Sequence, residues 1–166
     1  MKKNDKRIEK FEVAFNAENP LICGTSEPLK AVASRELKQL NAKGHIVYIT
    51  DPYLFPANCD ENYKKDLKEL LKELEASKII YCAGNIQNQT LYTEVENALR
   101  AQNVALVAEG RLTDCHDRFW LCLETDKCIV FGTSLNGIGR KICRIDELRT
   151  EEVEALKDEL RTRGIL

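Results

Sequence analysis

His116 and Arg118 stand two residues apart at the head of an apolar run, and Ser134 and Asn136 stand two apart directly after the next run. An imidazole, a guanidinium, a hydroxyl and a carboxamide together suit an anionic ester. The first serves as nucleophile or proton carrier, and the others donate to the ester's oxygens. On a strand, positions two apart share a face, so two antiparallel strands joined by a short turn would bring both pairs together. The stretch from Asp114 to Lys141 that holds them also contains one of the two histidines and the only tryptophan.

Simpler readings exist for each residue. His116 fits a hydrogen-bonded histidine at a strand start, Arg118 fits a salt bridge to Asp117 or Glu109, and Ser134 with Asn136 fits a turn leading into Gly137. Taken in register, the four favour a phosphate-handling site. Arg140 and Lys141 either form a solvated pair or widen a basic mouth beside it. Asp51 and Tyr53 follow a buried strand, at the end where open α/β sheets put their ligands, and are assigned a supporting, substrate-binding role.

The elements that must position these residues follow from periodicity. Phe11, Val13 and Phe15 alternate as a short strand after a charged lead-in over residues 1–10. Ser26 offers an N-cap for a helix carrying Leu29, Val32, Ala33, Leu37 and Leu40, closed by Gly44. Residues 46–50 form a β-branched central strand, and residues 60–77 a helix with Leu67, Leu70, Leu71 and Leu74 on one side. A strand at 79–82, a helix at 91–99 and a strand at 104–108 continue the alternation, which predicts βαβ units and a mainly parallel sheet. After Gly110 the pattern changes to a hairpin, with strands at 119–123 and 128–131. A short strand at 142–145 and a helix capped by Thr150 end the chain. No repeat or linker divides it, so residues 1–166 read as one α/β domain.

Composition narrows the functional classes. With 43% hydrophobic and 31% charged residues, the chain belongs with soluble globular proteins rather than disordered ones. A net charge of -2 restricts any duplex nucleic-acid binding to a local patch. The seven cysteines are odd in number and include no Cys-x-x-Cys pair, so they form neither a disulfide framework nor a zinc site, which points to a reducing, cytoplasmic setting. No apolar segment of signal or membrane-spanning length follows the basic start. No metal or other cofactor is expected.

His116-Asp117-Arg118 on a strand, followed by Gly132-Thr133-Ser134-Leu135-Asn136, resembles the phospholipase D-like superfamily, whose signature is His-x-Lys, an aspartate after four further residues, and a Gly-x-Ser-x-Asn strand end. Asp51-Pro52-Tyr53 and the βαβα order before the motif look like that family as well. The likeness covers roughly residues 45–148. It implies a βαβαβ sandwich with a mainly parallel central sheet plus a C-terminal β-hairpin and helix. It also implies metal-independent phosphodiester chemistry through a phosphohistidine. His116 would be the nucleophile, Arg118 would take the lysine's place, and Ser134 and Asn136 would hold phosphate oxygens.

The family uses two such motifs, and this chain has one. Small single-motif members assemble the site across a two-fold homodimer, so the resemblance implies His116 of each subunit facing the other. Two departures stand out: Arg118 cannot give up a proton, and the aspartate position falls at Leu123. Strings of this His-Asp-Arg kind also occur in branches that keep the fold for binding, one of them a membrane-lipid binder. Two expectations follow. One is a phosphodiesterase acting as a nuclease. The other is a catalytically degenerate module that binds a phosphate-containing ligand or mediates assembly. Membrane-lipid binding ranks below both, since no basic amphipathic helix or lipidation signal accompanies it.

Overall fold

The leucine stripes and β-branched runs become alternating helices and strands. The computed structural model describes residues 21–22, 28–84 and 86–166. The lead-in, the strand expected around Phe11, Val13 and Phe15, and the cap expected at Ser26 lie outside these residues.

Strand β1, Leu21–Ile22, is followed by helix α1, Leu29–Leu37, which runs on as a 3-10 turn over Lys38–Leu40. Asn41, in the left-handed region at φ 50°, ends that turn. The helix therefore stops before Gly44, which instead makes the bend into strand β2, Ile46–Ile49. Helix α2, Glu61–Glu73, starts at Asp60, whose carboxylate accepts the Tyr63 N–H at 2.8 Å. After strand β3, Lys78–Ala83, Asn88 does the same for Leu91 at 2.9 Å and starts helix α3, Gln89–Arg100.

Strand β4, Ala105–Leu112, is longer than the expected 104–108. It passes through Gly110 at φ 65°, and its register against β3 shifts between Tyr81 and Ala83. Strands β5, Arg118–Cys122, β6, Lys127–Phe131, and β7, Cys143–Glu147, follow, and helix α4, Thr150–Thr162, ends the fold. Arg149 rather than Thr150 occupies the cap position, its N–H donating to the Glu152 carboxylate at 2.9 Å.

The sheet order is β1-β7-β6-β5-β2-β3-β4. β2, β3 and β4 are parallel, and every other pairing is antiparallel. The sheet is therefore mixed, not mainly parallel. The β5–β6 hairpin is no appendage either, because β5 pairs directly with β2 through Val47 with Cys122 and Ile49 with Trp120.

The fold has three layers. On one face Val47, Ile49, Ile79, Tyr81, Trp120 and Phe131 pack under α1, α2 and α3. On the other, Tyr48, Ile80, Leu121 and Cys128 pack under Val153 and Leu160 of α4. Strict alternation along β2, β3 and β5, apolar on both faces, is what a sheet covered twice requires. Among the described residues no helix is long and apolar enough to cross a membrane.

Candidate functional site

The register between β2 and β5 builds the site. Ile49 lies opposite Trp120, and the Thr50 N–H donates to the Phe119 carbonyl at 3.0 Å, so Asp51 and Arg118 come next in line. On its other side Arg118 pairs with Phe131, after which β6 ends. Two-residue periodicity then puts Asp51 and Arg118 on the face shared by Ile49, Trp120 and Phe131, beneath the α1–α3 layer.

Asp51 is fully buried. One carboxylate oxygen accepts the Tyr53 N–H at 2.9 Å, and the other accepts the Leu135 N–H at 3.2 Å. Burial pushes its pKa up to about 6, against the opposing pull of those two N–H groups and the nearby Arg118 charge. Arg118 is half-buried, and its shielded Nε has no hydrogen-bond partner among the described residues. Trp120 Nε1, two positions along the same face, is likewise enclosed without a partner.

Thr50 ties the preceding loop to the sheet. Its hydroxyl accepts the Phe119 N–H at 2.9 Å and donates to the Asp117 carbonyl at 3.3 Å. Cys115 Sγ donates to the same carbonyl at 3.2 Å. His116 lies in this loop and is exposed, and β5 begins only at Arg118. The expected strand alternation between His116 and Arg118 therefore does not apply. The imidazole has no hydrogen-bond partner among the described residues. It sits close enough to Asp114 to help hold that carboxyl below its usual range, an effect led by the bond from Arg163 at 2.5 Å.

Two glycines explain the path after β6. Gly132 donates to the Arg144 carbonyl at 2.9 Å, and a Cβ there would come within 3.0 Å of that oxygen. A Cβ at Gly137 would come within 2.2 Å of the Thr133 hydroxyl. Between them Ser134 enters a 3-10 turn over Leu135–Gly137, so Ser134 and Asn136 do not share a strand face. Ser134 stays beside the Leu135 N–H that Asp51 binds. Asn136 instead lines a groove of about 360 Å³ with Asp60, Asn62, Asp66 and Arg140.

Arg140 pairs there with Asp60 at 2.8 Å, so its charge is engaged at the start of α2. Lys141 is exposed beyond it, and Tyr53 is 46% exposed while its backbone holds Asp51. The structure thus brings Asp51, Arg118 and the Ser134 turn together, with His116 in the adjoining loop, and sets Asn136 and Arg140 apart in the groove. Thr50 and the Leu135 backbone were not singled out from the sequence. A threonine ending a β-branched run immediately before Asp51 was the available signal for the first; a backbone donor leaves none. Among the described residues no group of three or more His, Cys, Asp or Glu side chains is arranged to hold a metal ion.

Comparison with protein families and with curated proteins returns no match to this sequence.

Proposed function

We propose that the chain is a phospholipase D-like phosphodiesterase acting on nucleic acid, with its site completed by a second copy. The observation that carries this is the half-buried Arg118, which has no ion pair or side-chain hydrogen bond among the described residues, at the start of a central strand two residues from an exposed imidazole. A guanidinium so placed can clamp a phosphate bidentately.

In the reaction, His116 attacks phosphorus. A P–N bond forms as the P–O bond to the leaving alcohol breaks, and the leaving oxygen takes a proton from His116 of the partner subunit. That imidazole then removes a proton from water, whose oxygen displaces the histidine and regenerates both subunits. Arg118 and the Ser134 hydroxyl hold the nonbridging oxygens throughout. The departure at Leu123 weighs little against this reading. Leu123 lies five residues beyond Arg118, about 16 Å along the strand, and packs on the α4 face.

One observation favours the second reading, a degenerate phosphate-binding module: among the described residues the imidazole of His116 has no hydrogen-bond partner that would fix its tautomer. Labelled single- and double-stranded DNA and a generic phosphodiester, incubated in chelator with wild type, His116→Ala and Arg118→Ala, separate the two. Cleavage abolished by His116→Ala, with an acid-labile phosphohistidine in wild type, supports the enzyme. Cleavage that survives the substitution removes the histidine nucleophile. Binding without cleavage, lost in Arg118→Ala, supports the module.

A further inference from the structure

We infer that Asp51 is the positioning residue of this site, its carboxylate coupling the Arg118 side chain to the turn that carries Ser134. As a statement about phosphate handling, this rests on the function proposed above. The geometry is specific. β2 and β6 are not neighbours, since β5 lies between them, yet Asp51 at the end of β2 accepts the Leu135 N–H that follows β6. The carboxylate therefore spans the strand whose first residue is Arg118. Being fully buried, it acts through its bonds to the Tyr53 and Leu135 amides and through its charge on the neighbouring Arg118.

Among the described residues three ionisable side chains face it from the elements packed around it. They are Arg118 on β5, Tyr63 on α2, whose hydroxyl donates to the Leu54 carbonyl at 2.9 Å, and Tyr81 on β3. Burial and the Asp51 charge hold both tyrosines neutral well beyond the physiological range. Arg118 alone can answer a change of charge at Asp51. When Asp51 takes a proton, one of its two acceptor positions becomes a donor. The longer bond, to Leu135, is then released before the shorter one to Tyr53. An anion bound at Arg118 also disfavours the ionised carboxylate, so ligand and proton bind together, and phosphodiester affinity rises as pH falls through the Asp51 midpoint.

The test uses the ¹⁵N-labelled full chain carrying His116→Asn, which removes the imidazole beside Arg118, from pH 4.5 to 8.5. The Leu135 amide and the Arg118 Nε–Hε should titrate with one shared midpoint, and both should become flat when Asp51→Asn is added. Unlabelled oligothymidylate, whose charge is constant over this range, should move that midpoint upward. If either signal fails to titrate, or still titrates in Asp51→Asn, the coupling is overturned. A shared midpoint that oligothymidylate leaves in place supports the coupling while overturning the phosphate function. If Asp51→Asn does not fold, Arg118→Met gives the same answer: loss of the cation must raise the Leu135 midpoint, and an unmoved one overturns the inference.

Discussion

Replacing Asp51 by asparagine should flatten the dependence of stability on pH between about pH 4 and pH 7. Burial raises this carboxyl from 3.8 to about 6, so the folded chain holds a proton there that the unfolded chain has released. The stabilisation is fully present below the unfolded value and is lost as pH rises through the folded one. A shift of about two units corresponds to about 3 kcal/mol. Asparagine keeps the shape and cannot ionise, and like the protonated carboxyl it offers one acceptor to the N–H groups of Tyr53 and Leu135. The variant should therefore match wild type near pH 4, where Asp51 is itself protonated in the folded chain, and exceed it by up to about 3 kcal/mol near pH 7.5. Surface carboxyls such as Asp60, Glu69 and Glu152 shift downward, and they cancel when the two proteins are compared at each pH. Urea unfolding at a series of pH values reads the difference directly. Parallel profiles for the two proteins would refute the assignment of the raised pKa to Asp51.

Three further outcomes are expected. Gly137→Ala should lose about 1–3 kcal/mol in thermal or urea unfolding, because the new Cβ meets the buried Thr133 side chain at 2.2 and 3.2 Å. Thr50→Val should lose about 1–2 kcal/mol and lower phosphodiester turnover, since it removes the acceptor for Phe119 and the donor to Asp117 that anchor the His116 loop; unchanged turnover with reduced stability would detach the loop from the reaction. Sedimentation should show a dimer whose dissociation on dilution abolishes cleavage, and cleavage by a strictly monomeric chain would exclude the shared site.

Much of the fold was legible because local periodicity reports burial. The stripe Leu67, Leu70, Leu71 marked α2, and the apolar run Phe119 to Leu123 marked a strand. That last run also held unused information, since a strand apolar on both faces belongs inside a sheet rather than at its margin. Its pairing with β2 is a contact between residues some seventy positions apart, and no local pattern encodes it. Boundaries moved where a side chain or φ angle decided them: Asn41 stopped the first helix turn early, and Gly110 let β4 run on. At the site, spacing suggested that the pair His116 and Arg118 meets the pair Ser134 and Asn136, and the place of Asp51 after a buried strand suggested a supporting role. The separation of Asn136 was not visible, because a 3-10 turn and a strand give the same two-residue interval opposite meanings.

The mixed topology itself explains why the chemistry-bearing residues meet where they do. β2 and β3 run parallel, and their carboxyl ends lie at one edge of the sheet. Because β5 is antiparallel to β2 and β6 antiparallel to β5, that same edge receives the start of β5 and the end of β6. A parallel β5 would have carried Arg118 to the far edge, about 16 Å from Asp51. The change of direction between β2 and β5 is thus a topological switch point, the place where open α/β sheets leave a crevice. It gathers a carboxylate, a guanidinium and a tight turn from three strands that the sequence holds far apart. The imidazole stands exposed on the adjoining loop, which is tied down through Thr50 and Cys115. A nucleophile in that position finds its proton-transfer partner most directly on another chain, which makes dilution of the protein the most economical challenge to the proposed reaction.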